Sequence, residues 1–223
     1  MSPIKSAVLL SGGLDSAVLL ALELREYGAS LPIHVRAGLA WESAEAAAIA
    51  ALLVRPPFAG QVLPLRTLTV DMRDVYPPTH WAIEGRPPAY DTPDEDVYLP
   101  GRNISLIAKA AVLCAGLGVG SLALGPLAGN PFPDARPAFF TAMADALSLG
   151  LDRPFEIRAP LSHLHKDAVI ALGLELGVPF DLTLSCMNPS DGRHCGRCSK
   201  CRERVNAFRD AGVSDPTSYA HRD

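Results

Sequence analysis

The chain has 223 residues, 48% of them hydrophobic and 20% charged, and 20 basic against 24 acidic residues give a formal charge of −4. That length and composition suit one globular domain with a sizeable core and exclude wholesale disorder. No uncharged apolar run reaches the ~18–20 residues of a membrane helix, residues 1–5 lack the layout of a secretory signal, and the mildly acidic balance argues against a general nucleic-acid binder.

Residues 6–10 form a short continuous apolar run, the pattern of a buried parallel strand. Residues 16–27 carry helical periodicity and stop at Gly28, a C-cap. A second strand is expected over 31–37, a helix rich in Ala, Glu and Leu over 41–53, and a third strand over 61–65. Farther on, the pattern gives a helix over 104–117 ending near Gly118, a strand over 121–124, a helix over 138–149 stopped by Gly150, and a strand over 155–158. A helix over 162–176 follows, with Ser162 as its N-cap and Gly177 as its stop. This alternation predicts an α/β sandwich around a mostly parallel sheet. Residues 66–102 break the rhythm with Pro77, Pro78, Pro87, Pro88, Pro93 and Pro100, and with acids at Asp91, Asp94, Glu95 and Asp96. A loop this long is usually functional or disordered. We read it as a substrate loop or partner surface, with disorder as the alternative.

Ser11, Gly12, Gly13, Leu14, Asp15 and Ser16 lie directly between the first strand and the first helix. Two glycines let the backbone turn tightly, the serines add hydroxyl donors, and the helix points its positive end at the same spot. Such a nest of donors binds an anion, most plausibly phosphate; an ordinary Gly-rich turn before a helix is the alternative. There is no G-x-x-x-x-G-K-[ST] and no G-x-G-x-x-G, which disfavours kinase-type and dinucleotide sites.

Five cysteines divide unevenly. Cys114 stands alone in an apolar helix and reads as a buried thiol. Cys186, Cys195, Cys198 and Cys201 crowd within sixteen positions, at spacings that close a tetrahedron around Zn²⁺. A site closed by four sulfurs has no open position, so its role is structural. An iron–sulfur cluster competes, but the C-x₃-C-P spacing is absent. Arg193, Arg197, Lys200, Arg202, Arg204 and Arg209 surround the cluster, and part of their charge is expected to offset the thiolates. A zinc-ribbon nucleic-acid module is the alternative, against which stand the negative net charge and the lack of interleaved aromatics.

The hexapeptide Ser-Gly-Gly-Leu-Asp-Ser resembles the pyrophosphate loop of the N-type ATP pyrophosphatases, and loop and cysteines together resemble the 7-cyano-7-deazaguanine synthases, the QueC family of queuosine precursor biosynthesis. Further anchors are Pro160-Leu161-Ser162-His163-Leu164-His165-Lys166, Leu184-Ser185-Cys186, His194-Cys195-Gly196, Arg204, Ala207-Phe208, Gly212 and Asp215-Pro216-Thr217-x-Tyr219. Leu99-Pro100-Gly101-Arg102-Asn103 is similar to that family's V-P-G-R-N segment, and Pro133-Asp134-x-Arg136-Pro137-x-Phe139 to its P-D-x-R-P-x-F segment. The resemblance implies a Rossmann-like sandwich of the adenine nucleotide alpha hydrolase type. Residues 1–184 would form the pyrophosphatase unit and 185–223 a zinc-binding segment of the same structural domain.

The implied activity is an ATP-dependent carbon–nitrogen ligation of 7-carboxy-7-deazaguanine with ammonia, through an adenylate, releasing pyrophosphate and AMP. Ser11, Gly12, Gly13, Leu14, Asp15 and Ser16 would cradle pyrophosphate, with Asp15 holding Mg²⁺. Asp15, Ser16, Arg102 and Lys166 are the catalytic candidates. The alternative for Lys166 is a solvated residue in a first helical turn, for Arg102 a structural salt bridge, and Asn103 either caps its helix or touches ligand. The resemblance further implies a cytoplasmic homodimer handling small molecules, with no membrane or nucleic-acid partner. Two stretches depart from the family: Arg36-Ala37-Gly38-Leu39-Ala40-Trp41-Glu42 replaces an aromatic-Gly-Gln segment, and 125–132 lacks the expected Asp and Tyr. Both fall where such folds build their ligand crevice. A related ligase adenylating another carboxylate, an RNA or a protein is therefore the alternative.

Overall fold

The structure, a computed structural model, describes residues 5–221; residues 1–4, part of the stretch read for a secretory signal, lie outside them. Five strands alternate with helices: β1 (Ala7–Leu9), β2 (Leu31–Arg36), β3 (Arg66–Thr69), β4 (Ser121–Ala123) and β5 (Glu156–Arg158). They form one sheet in the order β3-β2-β1-β4-β5, and every neighbouring pair is parallel. Register follows the pleat. Val8 and Leu10 enter one core while Ala7 enters the other, so a single strand feeds both faces.

Helices α1 (Leu14–Tyr27), α2 (Glu42–Leu53), α6 (Lys166–Glu175) and α7 (Ser199–Asp210) contribute to the first core. Helices α4 (Arg102–Gly116) and α5 (Pro137–Gly150) cover the opposite face. The short α3 (Trp81–Glu84) lies in the proline-rich stretch. Gly28 closes α1 at φ 75°, as its position predicts. α6 approaches so closely at Gly173 that an added Cβ would lie 2.3 Å from Phe180 and 2.7 Å from Val18. At the far end of the sheet, buried Glu23 of α1 pairs with Arg158 of β5 and accepts from Ser6. Among the described residues no helix is long and apolar enough to cross a membrane.

Two expectations need correction. The third strand starts at Arg66, not within 61–65. Residues 61–62 belong to a turn, where Gln61 and Val62 donate to the Phe58 carbonyl, and Val62 and Leu65 pack on the first core as loop side chains. The true strand is an edge strand of sequence RTLT, too polar and exposed to read as buried. The sixth helix starts at Lys166 after His165, not at Ser162. Residues 160–163 turn first, and the Leu164 carbonyl accepts from Ala128 N–H instead of serving a helix.

Residues 66–102 are ordered. Beneath them lies a third core that contains Trp41, Met72, Tyr76, Val97 and Leu99 together with Cys186, Cys198 and Cys201. Arg202 of α7 donates to the carbonyls of Tyr90 and Thr92 and pairs with Asp94. Ala89 forms an isolated antiparallel bridge with Cys198.

Candidate functional site

Strand order reverses between β1 and β4, and the crevice beyond their carboxyl ends is where open α/β sheets bind ligands. A two-lobed cleft opens there. The first lobe, about 260 Å³, is walled by Leu10, Ile33, Val35, Leu106 and Phe140. The second, about 490 Å³, is walled by Trp41, Trp81, Phe132, Lys166 and Glu203. Ser11, Asp15, Glu45 and Arg102 line both, so the lobes meet at the glycine loop.

Within the loop, Ser11 N–H donates to Ser16 Oγ and Gly13 N–H to Ser11 Oγ, both at 3.3 Å, which shapes the turn ahead of the helix start. Gly12 has φ 78°, and a Cβ there would lie 3.0 Å from Ile49 and 3.3 Å from the Glu45 carbonyl, so no larger residue fits. Ser16 Oγ donates to the Gly13 carbonyl at 3.0 Å, and the Ser11 and Ser16 hydroxyls lie 3.2 Å apart. Gly13 is the N-cap of α1, and no side chain caps that end. The first N–H groups of α1 therefore face the cleft mouth with the positive end of the helix behind them. Leu184 N–H donates to the Gly12 carbonyl at 2.8 Å, tying the loop to the segment that leads into Cys186.

Lys166, the first residue of α6, donates to Asp15 Oδ2 at 2.8 Å and pairs with Glu203 of α7. Burial alone would depress the lysine, but the two carboxylates outweigh it and hold the ammonium above its ordinary range. Burial likewise pushes Glu203 up, and Lys166 with Lys200 overrides it, holding the carboxyl at about 2. Asp15 Oδ1 is buried with no partner among the described residues. An orphaned carboxylate oxygen beside the uncapped start of α1 fits a hard divalent cation such as Mg²⁺.

Arg102 opens α4, and its side chain makes no hydrogen bond or salt bridge within the described residues; its Nε is buried and unpartnered. The salt-bridge alternative is therefore not what the structure has. Asn103 neither caps the helix nor stands free. Gly101 is the N-cap, and Asn103 Nδ2 donates to the Asp134 carbonyl at 3.1 Å.

Several residues of the cleft lie outside the motifs read from the sequence. His34 Nδ1 lies 3.1 Å from the Leu10 carbonyl, so Nδ1 carries the proton, and buried Nε2 is left as an unpartnered acceptor. Burial, the largest influence, lowers its pKa. Glu45 is buried on α2, and Trp41 Nε1 donates to its Oε1 at 3.1 Å. Desolvation pushes its carboxyl up to about 7. A tryptophan four residues before an acid on a helix was the available signal for this pair.

The four clustered cysteines come together away from the loop. Their sulfurs all lie within 4.8 Å of one another, with Sγ–Sγ distances of 3.5 Å (198–201), 3.8 Å (195–201) and 4.0 Å (186–198). Corners of a tetrahedron with ~2.3 Å Zn–S bonds are ~3.8 Å apart, so the set fits Zn²⁺. The N–H groups of Asn188 and Cys195 donate to Cys186 Sγ, and Arg197 N–H donates to Cys195 Sγ, as expected for metal-bound thiolates. All five cysteines are free of disulfides, and burial pushes Cys114 up to about 12. Four of the six basic residues around the set have other tasks. Lys200 pairs with Glu203, Arg202 with Asp94 and Arg209 with Asp210. Arg204 is buried, donates to Thr183, Ser185, Thr217 and the Phe180 carbonyl, and pairs with Asp215.

The model of the family described as queuosine biosynthesis protein QueC matches residues 5–212. A protein of Koribacter versatilis named 7-cyano-7-deazaguanine synthase is 36% identical, covering 98% of this chain and 94% of its own. One of the same name from Anaeromyxobacter dehalogenans is 37% identical, covering 97% and 96%. Among solved structures, a chain described as a predicted subunit of tRNA methyltransferase from Methanocaldococcus jannaschii shares the fold at TM-score 0.50. It has 17% identity and covers 99% of this chain and 94% of its own.

Proposed function

The chain belongs to the family of the queuosine biosynthesis protein QueC, and on that premise we propose that it is a 7-cyano-7-deazaguanine synthase. It would convert 7-carboxy-7-deazaguanine and ammonia to the nitrile at the expense of ATP. The observation that carries this reading is the convergence of the loop 11–16, the Lys166–Asp15 pair and the unpartnered Arg102 on one cleft.

In this reading the apolar first lobe takes the adenine ring and the second takes the acid. A substrate carboxylate oxygen attacks the α-phosphorus, the bond to the bridging oxygen breaks, and pyrophosphate leaves. The N–H groups at the start of α1 and the hydroxyls of Ser11 and Ser16 receive the charge that develops on it. Lys166 sets a point cation beside that charge while Asp15 keeps the ammonium in place. Mg²⁺ held through Asp15 would neutralise phosphate oxygens. Arg102, with no protein acceptor to satisfy, steadies the α-phosphate or the substrate carboxylate. Ammonia then attacks the acyl carbon, AMP departs, and a proton is released to give the amide. Attack of the amide oxygen on the α-phosphorus of a second ATP expels a second pyrophosphate, and loss of AMP and two N–H protons then leaves the nitrile. The wall formed by residues 66–102 keeps water from the acyl adenylate.

Zinc in the four-cysteine set has a structural role here, since the thiolates leave no coordination position open. Four reduced thiols are supported by a reducing, cytoplasmic setting, and a symmetric homodimer belongs to the same proposal.

The test is incubation of the protein with ATP, Mg²⁺, ammonium and 7-carboxy-7-deazaguanine. Mass spectrometry should find AMP, pyrophosphate and the nitrile. Formation of ADP, or no turnover with this acid, would refute the reading; turnover with another carboxylate would move it to the alternative.

A further inference from the structure

The cleft contains a carboxylate that the reaction above does not use. Glu45 projects from α2 at the boundary of both lobes and is only 8% exposed. Its Oε1 accepts from the Trp41 indole, which fixes the rotamer, while no described residue hydrogen-bonds Oε2. Trp41 and Trp81 stack at 5.7 Å with an interplanar angle of 7°, and both line the second lobe. Behind this aromatic side, His80 lies tilted against Trp81 at 5.5 Å, and Tyr76 stacks on His80 at 4.9 Å.

Burial outweighs the other influences on the Glu45 charge: Arg102 lowers its cost from a distance without a salt bridge, Glu42 raises it, and an acid with one neutral donor is costly to keep ionised here. Such a group is satisfied when a ligand brings N–H donors. Two adjacent donors on one planar edge match the two oxygens of a carboxylate, and the aromatic side excludes the water that would compete. Resting on the proposed function, we infer that Glu45 determines specificity for the acceptor substrate. It reads the adjacent ring N–H and exocyclic amine of a 2-amino-4-oxopyrimidine edge, with Trp41 as the residue that positions it. The stretch carrying Trp41 is one of the two that depart from the family pattern, so this device belongs to the chain's own sequence. The high pKa that desolvation gives the free carboxyl agrees with a group awaiting donors.

The test uses the full chain, calorimetry and two ligands: 7-carboxy-7-deazaguanine and the analogue lacking the exocyclic amine. The wild type should prefer the amine-bearing ligand by on the order of 100-fold. In Glu45→Gln the preference should fall to within about threefold, with ATP affinity unchanged. Glu45→Leu should behave alike, and Trp41→Phe should reduce the preference partway while leaving ATP affinity intact. A preference retained in Glu45→Gln overturns the assignment alone. So does an unchanged preference accompanied by a raised KM for ammonium, which would make Glu45 an ammonia site. Binding of neither ligand by the wild type overturns the proposed function and this assignment with it.

Discussion

Lys166 Nζ and Asp15 Oδ2 are 2.8 Å apart across 151 positions of chain, joining the first residue of α6 to the loop that ends β1. The contact leaves Asp15 with one oxygen neutralised and the other buried without a partner. Lys166→Ala should therefore cost charge stabilisation where pyrophosphate departs. We expect AMP formation to fall by about 10²–10³-fold, read as a drop in kcat. Lys166→Arg should not restore it, because a planar fork does not replace a point charge between two carboxylates.

Removing the metal should be felt beyond the cysteines. Cys198 is bridged to Ala89, and Arg202, in the same helix as Cys201, holds Tyr90, Thr92 and Asp94. We expect about one zinc per chain, loss of that zinc in Cys195→Ser, and a lower Tm. Hydrogen exchange should then speed up at residues 88–98, while β1 and α1 keep their protection. Equal zinc in mutant and wild type, or unchanged exchange at 88–98, would contradict this.

Arg204 is among the largest fully buried side chains, and its charge is balanced by Asp215 at 3.6 Å. Replacing it with Met leaves Asp215 buried and unpaired, which typically costs about 3–5 kcal/mol. Urea denaturation should show that loss in the midpoint, with the slope unchanged. The double variant Arg204→Met, Asp215→Asn should recover part of it.

Glu45 predicts a pH dependence of stability. Its carboxyl has an ordinary value of 4.5 and is held at about 7 in the fold. The folded chain thus binds this proton more tightly than the unfolded chain. The destabilisation is absent below pH 4.5, grows between 4.5 and 7, and is complete above 7. At ~1.4 kcal/mol per pH unit that span is worth roughly 3 kcal/mol. Glu45→Gln should raise Tm at pH 8 and make little difference at pH 5. A carboxylate that costs stability in the free protein is the expected mark of a ligand-facing group.

Much of this was legible in sequence where the informative residues are contiguous. Ser11 to Ser16 carry strand end, glycine turn and helix start in six positions, and the cysteines declare themselves by spacing. Legibility failed where an element's signal is weak or its partner is distant. The edge strand Arg66–Thr69 looks like loop because water covers most of it. Ser162 looks like a cap, but the Leu164 carbonyl is committed to Ala128. Arg204 reads as one of six surface cations until Asp215 and Thr183 are brought to it by the fold. Glu45 sits in an Ala-rich helix whose acids look solvated, yet the fold buries both Glu42 and Glu45.

The 112 positions between Tyr90 and Arg202 also order the birth of the site in time. A chain emerging from the ribosome has all five strands once residue 158 is free, so the sheet and the loop at its centre are able to fold early. The cleft's outer side must wait, undocked, until Cys198 and Arg202 appear. On the proposed function, the newborn protein would hold its phosphate-facing loop before its shelter from solvent, and the last helix would complete the cleft.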